Sequence, residues 1–164
     1  MRWLRHALLW SVIASLTMGL ASAADAHYRS HADPRDTPDG IDIERTRMRR
    51  DRGDIVVKVA TYDALPGWGW VFVDFVSRGG PRRDRVAVLQ WDAASGGWVK
   101  HALYRRGHRF VGSVTARMGE DVLRLRFPKA WLKATRHVRW RVRTAFGYGG
   151  TIVDRAPDGG WFAH

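Results

Sequence analysis

The chain contains no cysteine, which excludes a disulfide framework, every thiolate metal site and any cysteine nucleophile. Lysine is scarce too. Only Lys58, Lys100, Lys129 and Lys133 occur among 28 basic residues, so arginine carries the positive charge, a bias that a GC-rich genome also produces. Helical periodicity is almost absent, and so are internal repeats and low-complexity tracts. No G-x-S-x-G elbow or phosphate-cradling glycine loop is present, so the residues supply no catalytic constellation and the chain reads as non-enzymatic.

What is there begins with a leader. Arg2 and Arg5 precede the apolar run ALLWSVIASLTMGLA and then Ala21-Ser22-Ala23, which is the charge, apolar stretch and small-residue ending of a secretory signal peptide. Residues 1–23 are expected to be cleaved after Ala23, giving an exported chain with no membrane span. That chain keeps 141 of the 164 residues, enough for one domain and too few for two. It loses two arginines and no acid, so its formal charge falls from +12 to +10. A field of that sign draws polyanions such as cell-envelope polymers, with nucleic acid not favoured.

Residues 24–39 carry Pro34 and Pro38 without apolar periodicity and read as a loop or leader, with the domain proper over 40–164. From there the pattern is period two, broken at short intervals by Gly, Asp and Ser clusters. IDIERTRM turns at Asp51-Arg52-Gly53-Asp54 into IVVKVATY, a hairpin. WGWVFVDFVSR is apolar on both faces and predicts a central strand. RVAVLQWD and WVKHALYR form a second hairpin, followed by HRFVGSVTA, VLRLRF, HVRWRVRTAF and a short TIV. The only helical turn expected lies in PKAWLKAT, with Pro128 at its start. Gly149-Gly150 reads as turn glycine, and Trp161-Phe162 as packing back on the body. Eight or nine short antiparallel strands with one helical turn predict an all-β, jelly-roll-like sandwich.

The segments DPRDTPDGIDIERTRMR, DIVVKVATYDAL and VRWRVRTAFGYGG…VDRAPDGGWF resemble exported proteins of actinobacteria that are similar in layout to DOMON-like and family 9 carbohydrate-binding-module-like sandwiches. That resemblance implies a sandwich fold and a ligand that is a sugar, a haem or another small group, with structural calcium in some relatives. It carries no ligand residue onto this chain, and the positions of Met48 and Met118 single out no haem ligand.

Three sets of residues are candidates for binding. Trp68, Trp98 and Trp161 stand near turns, where a flat ring suits the C–H face of a saccharide, whereas Trp70, Trp91 and Trp140 read as core. Arg139, Arg141 and Arg143 alternate on one strand, with Arg124 and Arg126 expected beside them, and would form an arginine grid for an anionic partner. Asp36, Asp39, Asp42 and Asp154, with Asp33 and Asp158 nearby in sequence, offer hard oxygen ligands if the termini meet; calcium is the one cofactor these residues allow. The expected function is an exported, non-catalytic binding module for a saccharide or cell-envelope polymer. The alternative is an adhesion or structural protein whose basic face meets an anionic partner.

Overall fold

The computed structural model describes residues 29–37, 40–77, 84–105, 107–133, 138–146 and 151–163. Residues 1–23, expected to be a signal peptide, Asp39 and Gly149-Gly150 lie outside these residues. Twelve strands are present among them: β1 Arg29–Ala32, β2 Ile43–Asp51, β3 Asp54–Thr61, β4 Trp68–Ser77, β5 Arg85–Asp92, β6 Gly97–Arg105, β7 Arg109–Ser113, β8 Thr115–Met118, β9 Val122–Pro128, β10 Val138–Phe146, β11 Thr151–Ala156 and β12 Phe162–Ala163. They form two antiparallel sheets, one in the order β1-β2-β3-β9-β8 and one in the order β11-β10-β4-β5-β6-β7, with β12 paired to β10. The protein is an all-β sandwich. No helix among the described residues is long and apolar enough to cross a membrane.

The hairpins follow from turn chemistry. Between β2 and β3, Asp51 faces Asp54 and the two central residues, Arg52 and Gly53, both have positive φ, as the twist of a two-residue hairpin turn requires. Between β5 and β6, Asp92 caps a short 3-10 turn, Ala93–Ser95, by accepting from the Ala94 N–H, and Gly96 closes it in the left-handed region. This turn is additional to the one expected after Pro128, which is also found, at Lys129–Leu132.

Three more differences raise the strand count above nine. β1 lies inside the supposed leader, because Arg29–Ala32 pair with residues 45–48 of β2. HRFVGSVTA is two strands, with β7 in the seven-stranded sheet and β8 in the five-stranded one. The chain changes sheet at Val114, which is buried. β12 adds a two-residue pairing to β10 and seats Phe162, whose ring stacks on His31 at 3.9 Å.

Alternation puts Ile55, Val57, Val59, Leu123, Leu125 and Phe127 of one sheet against Val71, Val73, Phe75, Leu89, Leu103, Trp140 and Val142 of the other. Trp91 and Trp140 are core, as expected. Trp70 is not; it shares the outer, half-buried face of β4 with Trp68 and Phe72. Gly69 helps explain that choice of face. It is buried opposite Trp91, and a Cβ there would stand 2.6 Å from Ile41 Cδ1 and 2.8 Å from the Trp91 ring. Replacing Gly69 with alanine is expected to lower stability by about 1–3 kcal/mol through overpacking. Urea unfolding followed by tryptophan fluorescence checks this, with a lower midpoint at unchanged slope as the expected result.

Candidate functional site

Among the described residues the sandwich brings charge together in two places, and the first is acidic. The segment between β1 and β2 doubles back so that Ile41 and Ile43 enter the core beside the β10–β11 edge. There Thr144 Oγ1 donates to the Ile41 carbonyl at 2.6 Å, and Asp154 Oδ2 accepts the Ile43 N–H at 2.6 Å. Thr144 and Asp154 are themselves cross-strand partners. Asp154 must therefore face inward, and the segment it holds carries further acids. The carboxylates of Asp36, Asp42 and Asp154 come within 4.8 Å of one another, as do those of Asp33, Asp154 and Asp158. Asp36, Thr37, Val153, Asp154 and Asp158 border an open pocket over this cluster.

Burial and mutual repulsion act together here. Asp33 is 5% exposed, and its pKa is pushed up to about 7, first by burial and then by the charges of Asp154, Asp158, Asp36 and Asp42. Burial also pushes Asp154 up to about 6, against the pull of the Ile43 and Arg155 N–H groups that its oxygens accept. Asp42, 3% exposed, is raised by burial as well. The Thr37 and Asp36 N–H groups lie near enough to oppose that rise, yet neither Asp42 oxygen has a partner in hydrogen-bond geometry among the described residues. Arg35, the cation that lowers Asp42, is itself engaged with Asp63 at 2.8 Å.

The second concentration is basic and lies on the outer face of the five-stranded sheet. Arg47 of β2, Lys58 of β3, Arg124 of β9 and Arg117 of β8 are successive cross-strand partners, all exposed. A neighbouring row runs Arg49, Val56, Arg126, Thr115. At its hairpin end Arg126 pairs with Asp54 at 2.5 Å and with Asp51 at 3.4 Å, and Arg49 reaches Asp51 at 3.5 Å. Shallow depressions between these side chains are lined by Arg47, Arg49, Lys58, Arg117, Arg124 and Arg126.

The expected arginine grid is therefore divided. Arg124 and Arg126 belong to β9 and Arg139, Arg141 and Arg143 to β10, which lie in different sheets. Arg141 and Arg143 both bind Asp74, the latter through Nε and Nη2 at 2.7 and 2.8 Å, and Arg141 lies 4.4 Å over the Trp161 ring. Only Arg139 is left exposed on that strand.

The three tryptophans occupy different neighbourhoods. Trp68 stacks on Phe146 at 4.6 Å, Trp98 meets the core residue Trp91 edge-on, and Trp161 lies beneath Arg141. Further aromatic rings lie on the outer face of the seven-stranded sheet, where Arg143 stands 5.1 Å over the Phe72 ring. Trp70 and Phe72 lie parallel within 6°, Tyr104 meets Phe110, and Lys100 stands 6.0 Å from the Trp70 and Tyr104 rings. Phe110 is 62% exposed.

Of the acidic candidates, Asp36, Asp42 and Asp154 meet and Asp39 lies outside the described residues. Asp33 and Asp158 complete the cluster. Residues missed by sequence reading are Arg47, Lys58 and Arg117, whose alternation was visible but whose alignment across four strands depends on a non-local register. Comparison with protein-family models, curated proteins and solved structures returns no match.

The raised carboxylates fix the sign of a pH effect. A carboxyl whose pKa is higher folded than unfolded binds its proton more tightly in the native state, so its contribution favours folding at low pH and is lost as pH rises toward the folded value. In chelator, the melting temperature of the wild type relative to Asp33→Asn is expected to rise as pH falls from about 7.5 to about 5.5, a window above the ordinary carboxylate range. Thermal scans across that window measure it, and a flat difference contradicts the assignment.

Proposed function

We propose that the chain is an exported, non-catalytic binding module whose five-stranded sheet lays its outer face on an anionic polymer of the cell envelope, one bearing phosphate or carboxylate groups. The observation that carries this reading is the row Arg47, Lys58, Arg124, Arg117. Like charges directly opposite one another in adjacent strands destabilise a sheet, and three such contacts follow in succession here. A polyanion laid across the row converts that repulsion into attraction, and the guanidinium forks take its oxygens two at a time. Cations recur about every 4.8 Å across the strands, so the face meets a repeating charge rather than a single anion.

A second reading, a neutral saccharide on the strip of Trp70, Phe72, Tyr104 and Phe110, is favoured by the parallel rings and by the exposure of Phe110. Such a ligand would bind through apolar ring faces and be insensitive to salt.

Retention on immobilised poly(glycerol phosphate) and on a neutral polysaccharide separates the two. Binding to the anionic polymer is expected to be lost between about 50 mM and about 500 mM salt. The double variant Lys58→Glu, Arg124→Glu should weaken it by about tenfold or more. Lys58→Thr should weaken it too, while raising stability by about 0.2–1 kcal/mol as two like-charge contacts are relieved. Retention on the neutral polysaccharide alone, unaffected by salt, supports the aromatic strip instead. Equal retention on DNA of matched charge would show a face without preference for envelope polymers.

A further inference from the structure

We propose that Asp36, Asp42 and Asp154 bind a calcium ion, with Asp33 and Asp158 beside it, and that the ion fastens the segment entering β2 to β11. Oxygen ligands of calcium stand 2.3–2.6 Å from the ion, so two of them around a common centre are separated by about 5 Å at most. The three carboxylates already satisfy that limit, lying within 4.8 Å of one another, and Asp154 also belongs to the adjoining triad with Asp33 and Asp158.

Proximity of acids alone would not make a site, since exposed carboxylates often cluster. What marks this one is Asp42. It is 97% removed from solvent, its carboxylate points into the cluster, and neither oxygen meets a hydrogen-bond partner among the described residues. Asp33 Oδ2 is unpartnered in the same way. A buried carboxylate is retained where something satisfies it, and a cation does so for several at once. Asp154 remains available, because a carboxylate has about four acceptor positions and its backbone bonds to Ile43 and Arg155 use two.

The donor set selects the ion. All ligands are carboxylate oxygens, with no imidazole in either triad, which suits a hard cation over zinc or copper. The ligands come from three stretches of chain, around Asp33 to Asp42, from β11 and from the turn beyond it. Calcium accepts six to eight oxygens in flexible geometry, whereas magnesium demands a tight octahedron and keeps its water. The ion would bridge the two sheets at the open edge of the sandwich, where Asp154 and Thr144 already hold the same segment.

The test is calcium titration of the purified, chelator-treated chain by calorimetry, with melting temperature followed in parallel. Heat saturating at one or two calcium per chain is expected, with a melting temperature about 5 °C or more above that in chelator. Asp42→Asn should abolish the calcium increment and, in chelator, melt at or above the wild type, since it keeps the shape and removes a buried unpartnered charge. Asp36→Asn, at an exposed position that leaves the fold intact, should weaken calcium binding at least about tenfold. Identical melting in calcium and chelator without binding heat overturns the proposal. An equal shift with magnesium overturns the choice of calcium, and an unchanged response in Asp36→Asn overturns the ligand set.

Discussion

Two apolar sheet faces packed together have little directional preference, and what orients these two is the pairing of one buried stretch of backbone. Ile41 precedes β2 and Ile43 begins it, ahead of a register shift in the ladder to β3, and both are core residues whose backbone polar groups need partners where water does not reach. Thr144 and Asp154, facing one another across β10 and β11, supply those partners over separations of 103 and 111 residues. One cross-strand pair from the end of the chain thus positions the first hairpin, and with it the whole five-stranded sheet. Leaving a buried backbone donor without its acceptor costs on the order of 1–3 kcal/mol, more when the lost acceptor is charged. The carboxylate at position 154 is therefore structural before it is anything else. The acidic cluster is a consequence: the segment that Asp154 captures is DPRDTPDGID, of which Asp33, Asp36 and Asp42 meet at the edge.

Much of this architecture was legible in the residues. Alternation over IVVKVATY, VLRLRF and HVRWRVRTAF predicts strands with one wet face, and β3, β9 and β10 have it. Asp51 to Asp54 predicts the turn that joins β2 to β3. The features that escaped are those where local pattern is silent about partners. Arg29 to Ala32 has no alternation of its own and is a strand because β2 offers an edge. HRFVGSVTA keeps its period through Val114, so the change of sheet leaves no mark in the sequence. WGWVFVDF is apolar on both faces, and nothing local says which faces inward; Gly69, which leaves room for the Trp91 ring, belongs to the inner one. The same ambiguity misplaced Trp70.

The sites show the same division between pattern and partner. The acids before β2 and after β10 were visible, but their meeting depends on the closure of the sandwich. The two arginine groups were also visible, and both show the same alternation; only sheet membership separates them. On β10 the charge is largely absorbed, because Asp74 stands between Arg141 and Arg143 with a side chain that is mostly buried. On β9 only Arg126, at the hairpin end, meets acids, while Arg124 stays exposed among cations, because the acids of that face collect at the ends of the strands: Asp51 and Asp54 at the hairpin, Glu44 and Asp121 at the other end.

That arrangement bears on whether the basic row is an accident of arginine-rich composition. A compositional excess scatters cations over every exposed position, and acids with them, so that opposite charges meet across strands about as often as like charges. Here the middle of one face holds four cations in a single row while its acids lie above and below it. The energetic penalty is small, a fraction of a kcal/mol for each contact, against about 1.5–3 kcal/mol for each large side chain in the core. Folding stability therefore neither requires the row nor removes it. An exposed row of this kind acts outward over about 8–10 Å at moderate ionic strength, beyond the side chains themselves. Its effect falls on whatever approaches the face, and the length of a four-strand row fits it to an extended anion more closely than to a compact one.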